Sequence, residues 1–220
     1  MFRALLSLWG SKDLLSESFE LFKKVLEDVE WMFDATTDVL LCKKEISEIE
    51  KEIREREQSV DKAEMEIRRK VIEHLSMKGQ DVPASLVLFS VVKDAERIGD
   101  LCADILTVVR STSCVCGVSP FSKIIKELEA SLESMFSKTR QAFASSDENT
   151  AKEAMVMYEK TKTFCNELLN AVLSSSSMTV KESVSYALLS VYFRRVGAHI
   201  NHIAESVVNP SLIVKHKEEK

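Results

Sequence analysis

The sequence predicts an all-α protein made of two tandem, pseudo-symmetric three-helix bundles, and three observations lead to this fold class. Of 220 residues, 45% are hydrophobic and 30% charged, with only 5 Gly and 3 Pro, a composition typical of an ordered, helix-rich chain. Apolar residues recur at alternating spacings of three and four, which places them on single helical faces. Finally, residues 93–105 return in altered form as residues 191–203, so the chain contains two copies of one unit.

Three helices are predicted in the first copy. The first spans about residues 12–41 and is strongly amphipathic. The second spans about residues 43–76, and its narrow apolar stripe resembles a coiled-coil seam in which Arg56 takes the place of an apolar residue. Asp81 is expected to cap the third helix, which runs from about residue 82 to 111.

The second copy repeats this plan. Helices are predicted at about residues 121–145, 149–173 and 179–208. The last of them begins with Thr179 and Glu182, the spacing of a capping box in which each side chain satisfies a free backbone amide. The same number of helices of similar length therefore follows in each half.

The boundary between the two bundles is predicted at a linker low in charge, Ser111 to Pro120. We expect a first bundle at residues 1–112, a second at residues 119–210 and a frayed tail at residues 211–220. Three antiparallel helices can close around one core, so the simplest arrangement is two bundles laid end to end.

Composition also narrows the function classes. A net charge of -5 gives no general attraction to nucleic acid. The longest nearly apolar run, Val82 to Val92, is too short to span a membrane. The first ten residues lack the features of a secretory signal, and the odd count of 5 Cys favours reduced thiols, so a cytoplasmic location is expected.

No catalytic template is recognisable. The sequence has no Gly-rich phosphate loop, no G-x-S-x-G and no H-E-x-x-H, so neither an enzyme nor an organic cofactor is predicted. None of the 4 His has a Glu three residues before it, which argues against a ferritin-like di-iron oxidase.

The repeated segment carries an acidic stripe in its first copy. Glu96, Asp100 and Asp104 are four residues apart and so lie near one another on a single helical face. Like charges at this spacing repel, and either bound cations or basic neighbours must offset them. Arg97 is expected on another face.

The second helix offers further carboxylates, Asp61, Glu64 and Glu66, at about the level of the stripe. Carboxylates from adjacent helices form multinuclear metal sites in helical bundles. The sequence therefore predicts a site for iron, zinc or another divalent cation. Its candidate ligands are Asp61, Glu64, Glu96, Asp100 and Asp104. The alternative is an exposed acidic face paired with Arg68, Arg69 or Lys93.

The second copy has lost the acids, because Arg194 and Ala198 stand where Glu96 and Asp100 stand in the first. A weaker candidate set of metal ligands follows there. It consists of His199, His202 and Glu205, spaced three apart.

The stretch E-R-I-G-D at residues 96–100 and the stretch R-V-G-A-H at residues 195–199 resemble the repeated signature of the PhoU family of phosphate-uptake regulators. Val60-Asp61-x-x-Glu64 upstream of the first signature agrees with it, and the resemblance covers nearly the whole chain. Arg194 and Ala198 depart from the family pattern, and Cys165 stands roughly where the upstream acid of the second unit would be.

The resemblance implies two spectrin-like three-helix bundles, a cytoplasmic protein and no enzymatic activity. It implies negative regulation of phosphate transport by protein contacts, with a phosphate transporter component (an ABC ATPase or a symporter) and a sensor histidine kinase as partners. It also implies multinuclear iron or zinc on acidic helix faces, and a place at the inner face of the membrane. A second copy of the chain is a further candidate partner. Two alternatives stay open: an accessory domain of a sodium/phosphate symporter, and a metal-binding or metal-storage bundle.

Overall fold

The computed structural model describes residues 14–78, 81–111 and 121–210 of the chain. Of these residues 91% are helical and none lies in a strand, which confirms the all-α class. The six helices are α1 (Leu14–Leu40), α2 (Ile46–Lys78), α3 (Val82–Ser111), α4 (Ser122–Ser145), α5 (Glu148–Ser174) and α6 (Val180–Val208). The predicted linker and the predicted frayed tail lie outside the described residues, so the domain limits placed there stay predictions.

Helical periodicity explains the core of the first half. The predicted apolar positions of α1 are all buried: Leu15, Phe19, Phe22, Leu26, Val29 and Phe33. Arg56 interrupts the stripe of α2 without breaking it, because its guanidinium lies 4.2 Å from the ring centroid of Trp31 and pairs with Asp28 of α1. The charged residue therefore joins α2 to α1 at the rim of the core.

Side-chain caps fix two helix starts in the second half. The backbone N–H of Glu182 donates to Thr179 Oγ1 at 3.2 Å, and the backbone N–H of Thr179 donates to Glu182 Oε2 at 2.8 Å. The predicted capping box of α6 is thereby confirmed. Asp147 caps α5 by accepting from the backbone N–H of Asn149 at 3.0 Å.

Within each half the three helices pack against one another, and in addition α3 packs along α6 and α1 along α4. The ring centroids of Phe19 and Phe143 are 5.7 Å apart, and those of Phe33 and Phe136 are 5.2 Å apart. Lys43 Nζ, just beyond α1, lies 2.8 Å from Glu129 Oε1. These contacts follow α1 over its length, so the two bundles lie side by side, and the end-to-end arrangement predicted from the sequence is wrong.

The width of the apolar face on α1 gives the physical reason. In this helix 14 of 27 residues are buried, including Val25 and Met32, which flank the stripe read from the sequence. A helix with about half of its residues buried must be covered on more than one side. End-to-end bundles would leave part of that face in water, and side-by-side packing covers it with α4.

None of the six helices in the described part of the chain has an apolar stretch long enough to cross a membrane.

Candidate functional site

Three carboxylates meet where α3 passes α2. Glu96 and Asp100 lie one turn apart on α3, and Asp61 approaches them from α2. One oxygen of each carboxylate lies within 4.8 Å of the others. We call Asp61, Glu96 and Asp100 the acidic face; the structure thus brings together three of the five carboxylates predicted as ligands.

Basic side chains of α3 lie beside the acidic face. Lys93 Nζ is 2.8 Å from Glu96 Oε1, and Arg97 donates to Asp100 Oδ2 at 2.7 Å. The expectation that Arg97 lies on another face is therefore wrong. Its long side chain reaches across one turn to the carboxylate three residues ahead, a spacing at which helical side chains are neighbours.

The other two predicted ligands lie apart from this convergence. Glu64 pairs with Arg68 at 2.7 Å, and the Arg68 guanidinium lies 4.3 Å from the ring centroid of Phe89 on α3. Asp104 is exposed one turn beyond Asp100. The third acid noted on α2, Glu66, pairs with Lys70, which also contacts Glu17 of α1. That acid therefore faces α1 rather than α3.

Glu57 belongs to the same electrostatic environment and was missed in the sequence. Partial burial raises the pKa of its carboxyl, and the charges of Asp61 and Asp100 raise it further. The signal for it was present, since Glu57 precedes Asp61 by four residues on α2 and so lies on the same face.

The donor set of the acidic face fits a divalent cation. Glu96 Oε2 is buried and has no hydrogen-bond partner, although Arg97 Nε lies 3.6 Å away. A buried carboxylate oxygen without a partner is costly, and a cation would satisfy it. Oxygen-only ligands suit hard cations such as Mg²⁺ and Mn²⁺. The residues that would hold the ion are Asp61, Glu96 and Asp100.

The corresponding place in the second half has different chemistry. Arg194 donates from its guanidinium to Asn166 Oδ1 of α5 at 3.0 Å. Cys165, which the sequence placed near this position, is buried in the core, and burial raises the pKa of its thiol to about 12. The neighbouring Asn166 is the residue that faces Arg194, so a positive charge and an amide occupy the place of the acids.

A second cluster joins the two halves. His199 Nδ1 lies 2.8 Å and His202 Nδ1 3.4 Å from the same oxygen, Asp94 Oδ1. We call Asp94, His199 and His202 the histidine cluster. The two histidines were candidates in the sequence, but Asp94 of α3 faces them in the structure where Glu205 had been expected to complete the set.

The electrostatics of this cluster follow from its contacts. Burial alone would raise the pKa of Asp94, but hydrogen bonds from His199 and His202 outweigh it and lower that pKa. The hydrogen bond to Asp94 raises the pKa of His202 more than burial lowers it, and Glu205 adds to the rise. Asp94 was missed as a ligand because its partners lie more than 100 residues away in the chain.

The described helices form a duplicated three-helix unit, and acids converge on the third helix of its first copy only. The PhoU domain model matches the chain twice, over residues 22–109 and residues 125–207. The chain therefore belongs to the PhoU family. This family is regulatory and non-enzymatic, and its members interact with components of transport systems.

Two solved structures are similar to this chain. The phosphate transport system regulatory protein PhoU from Streptococcus pneumoniae shares 17% identity with a TM-score of 0.74, covering 90% of this chain and 96% of that one. PhoU from Pseudomonas aeruginosa shares 19% identity with a TM-score of 0.72, covering 96% of this chain and 98% of that one. At these identities the likeness shows the fold. Among curated protein sequences, none matches this chain.

Proposed function

We propose that this protein regulates phosphate uptake or phosphate signalling through protein contacts, with the acidic face as a cation-dependent part of its working surface. The observation that carries the proposal is the acidic face itself, formed by α2 and α3 of the first copy in a chain that belongs to the PhoU family. The part of the proposal that concerns phosphate rests on membership of the PhoU family, and the part that concerns the acidic face rests on the structure of this chain.

The position of the acidic face supports a surface role. Asp61 is exposed, and the side chain of Asp100 keeps 36% of its exposure. An open face of this kind lets a partner or a hydrated ion approach. It does not favour the alternative of a metal-storage or metal-dependent enzyme, which needs an enclosed site with a substrate pocket.

A cation would act by joining two helices. Its charge would offset the repulsion among the three carboxylates, and Asp61 lies on α2 whereas Glu96 and Asp100 lie on α3. The pairing of α2 with α3 then stiffens and presents a fixed docking surface at the inner face of the membrane. Protein partners of the expected kind are a phosphate transporter component, either an ABC ATPase or a symporter, and a sensor histidine kinase.

Metal analysis of the purified protein tests the cation. We expect bound iron or manganese in the wild type and its loss in Glu96→Ala with Asp100→Ala. A matched control is Glu52→Ala with Glu55→Ala, which removes two charges from exposed positions of α2 outside the acidic face. Equal and negligible iron and manganese in all three proteins would remove the cation from the proposal.

The regulatory role is tested by recovering partners from cells grown with abundant or limiting phosphate. A phosphate transporter component or sensor kinase should co-purify with the wild type, in an amount that depends on phosphate. Recovery of a sodium/phosphate symporter alone would favour the accessory-domain alternative. Recovery that ignores phosphate, with no transport protein among the partners, would contradict the proposal.

A further inference from the structure

The histidine cluster has the composition and geometry of a metal site separate from the acidic face. His199 and His202 come from α6 of the second half, and Asp94 comes from α3 of the first. One potential ligand atom of each residue lies within 4.8 Å of the others. Both imidazoles direct Nδ1 toward the same carboxylate oxygen.

The distances fit a tetrahedral ion. Ligand atoms about 2.0 to 2.1 Å from a tetrahedral Zn²⁺ lie about 3.3 Å from one another. The two nitrogen–oxygen distances are 2.8 and 3.4 Å, and all three ligand atoms lie within 4.8 Å of one another, so side-chain shifts would arrange them around an ion. The three potential ligand atoms therefore already lie close to one another.

The donor atoms favour a cation different from the one that suits the acidic face. Two imidazole nitrogens and one carboxylate oxygen suit Zn²⁺, whereas oxygen-only ligands suit Mg²⁺ and Mn²⁺. Imidazole binds Mg²⁺ poorly because that ion prefers oxygen and keeps its waters.

Access to the cluster is open on one side. The side chain of His202 is 58% exposed, whereas those of His199 and Asp94 are 21% and 16% exposed. An ion can therefore enter from solvent and keep a water as its fourth ligand. Two of its protein ligands would be held by packing at the contact of α3 with α6.

We propose that Asp94, His199 and His202 form a Zn²⁺ site that ties the first half of the protein to the second. The ion takes Nδ1 of both histidines and a carboxylate oxygen of Asp94, and it replaces the hydrogen bonds that now join them. Because the ligands come from both bundles, binding favours the side-by-side packing of α3 and α6.

Zn²⁺ titration of the full chain, with a competing chromophoric chelator, tests the site. The wild type should bind one equivalent of Zn²⁺, and His202→Ala should lower the Zn²⁺ affinity at least about 100-fold. Loss of a residue that only supports a ligand already lowers metal affinity about 10- to 100-fold. Glu205→Gln is the matched control, because Glu205 lies near His202 but is not a ligand; its affinity should stay within about threefold of wild type.

A second pair of variants separates this site from the acidic face. Glu96→Gln with Asp100→Asn should keep the Zn²⁺ equivalent that His202→Ala loses. Unchanged Zn²⁺ affinity in His202→Ala would overturn the proposal and leave the cluster as a hydrogen-bonded contact between the halves. Loss of Zn²⁺ only in the acidic-face variant would also overturn it, and would leave the cation of the regulatory proposal intact.

Two further readouts report on the role of the ion. Tetrahedral Co²⁺ absorbs strongly in the visible range, so Co²⁺ added to the wild type should give this spectrum and Co²⁺ added to His202→Ala should not. Zn²⁺ should also raise the thermal midpoint of the wild type but not that of His202→Ala, since an ion that binds only the folded state stabilises it. An equal rise of the thermal midpoint in both proteins would contradict a Zn²⁺ site that links the two halves at this position.

Discussion

The two halves of this protein keep the same interior and have different polar surfaces. Ile98 and Val196 are both buried, as are Ile105 and Ile203. At neighbouring positions of the repeat, Glu96 and Asp100 of the first half correspond to Arg194 and Ala198 of the second. Packing therefore constrains the buried members of the repeat, because any change of volume there is felt by every neighbour.

The charged positions of the repeat are not limited by packing in this way, and their interactions depend on the residues around them. In the first half, acids of α2 and α3 converge. In the second, Arg194 hydrogen-bonds Asn166 of α5 instead. The second half forms the same three-helix unit without these acids, so this arrangement of helices does not depend on an acidic face.

The pair of repeated glycines tests where the two similar interiors differ in packing. A Cβ at Gly197 would lie 3.2 Å from Tyr158 Cδ2 and 3.3 Å from Leu132 Cδ2, whereas a Cβ at Gly99 would find Met32 Cε at 3.7 Å. Gly197→Ala should cost about 1 to 3 kcal/mol through overpacking. Gly99→Ala should stabilise by up to about 1 kcal/mol, since Ala favours a helix over Gly.

Urea unfolding of both glycine variants measures the contrast. Opposite signs are expected, and equal effects would show that the two halves pack their third helices alike.

The next largest effect concerns Asp34, whose pKa depends on charged residues of both halves. Asp34 of α1 has a buried Oδ1 without a hydrogen-bond partner, and burial, then Glu133 of α4, then Glu30, raise its pKa to about 6. The folded state therefore holds a proton that the unfolded state releases near pH 4, and stability falls as pH rises from about 4 to about 6.

Asp34→Asn should remove this cost. At pH 7.5 we expect a gain of about 1 kcal/mol, after reducing the full shift for solvent screening of a partly buried group. The thermal midpoint should rise by about 2 to 4 °C. At pH 4 the variant and the wild type should unfold alike. Glu20→Gln, at an exposed position of the same helix, is the control, and a pH-independent gain would refute the role given to Asp34.

The smallest effect on stability comes from rebuilding the lost acids. The triple variant Asn166→Asp, Arg194→Glu, Ala198→Asp places carboxylates where the second half now has an amide, a guanidinium and a methyl group. Since residues 166 and 194 are exposed, stability should change by less than about 0.5 kcal/mol. Mn²⁺ titration should show a new binding event in a Glu96→Ala, Asp100→Ala background. Its absence would show that the halves differ in more than these side chains.

Much of the fold follows from sequence because its causes are local. The periodic apolar residues of α1 and the capping pair Thr179 and Glu182 act within a few residues of the chain, so their outcome could be predicted. The side-by-side packing could not, because periodicity gives the direction of an apolar face and understates its width. Val25 and Met32 widen that face beyond the predicted stripe.

The candidate sites show the same distinction between local contacts, which the sequence predicts, and long-range contacts, which it does not. Glu96 and Asp100 were predictable from a four-residue spacing within one helix, and Glu57 could have been found by the same rule on α2. Asp94 could not be paired with its histidines, since its contact with His199 joins residues more than 100 positions apart. Arg97 was misplaced because only its position next to Glu96 was considered, whereas Asp100 lies three residues ahead and within reach of its long side chain.

The aromatic contact between α1 and α4 has a consequence for synthesis of the chain. Phe19, Phe22 and Phe33 are made early, yet their partners Phe143 and Phe136 leave the ribosome about 100 residues later. At roughly 5 to 20 residues per second this is a delay of about 5 to 20 seconds. During that time these aromatic side chains lack their partners from the second half, so the nascent chain exposes apolar surface of the kind that favours aggregation.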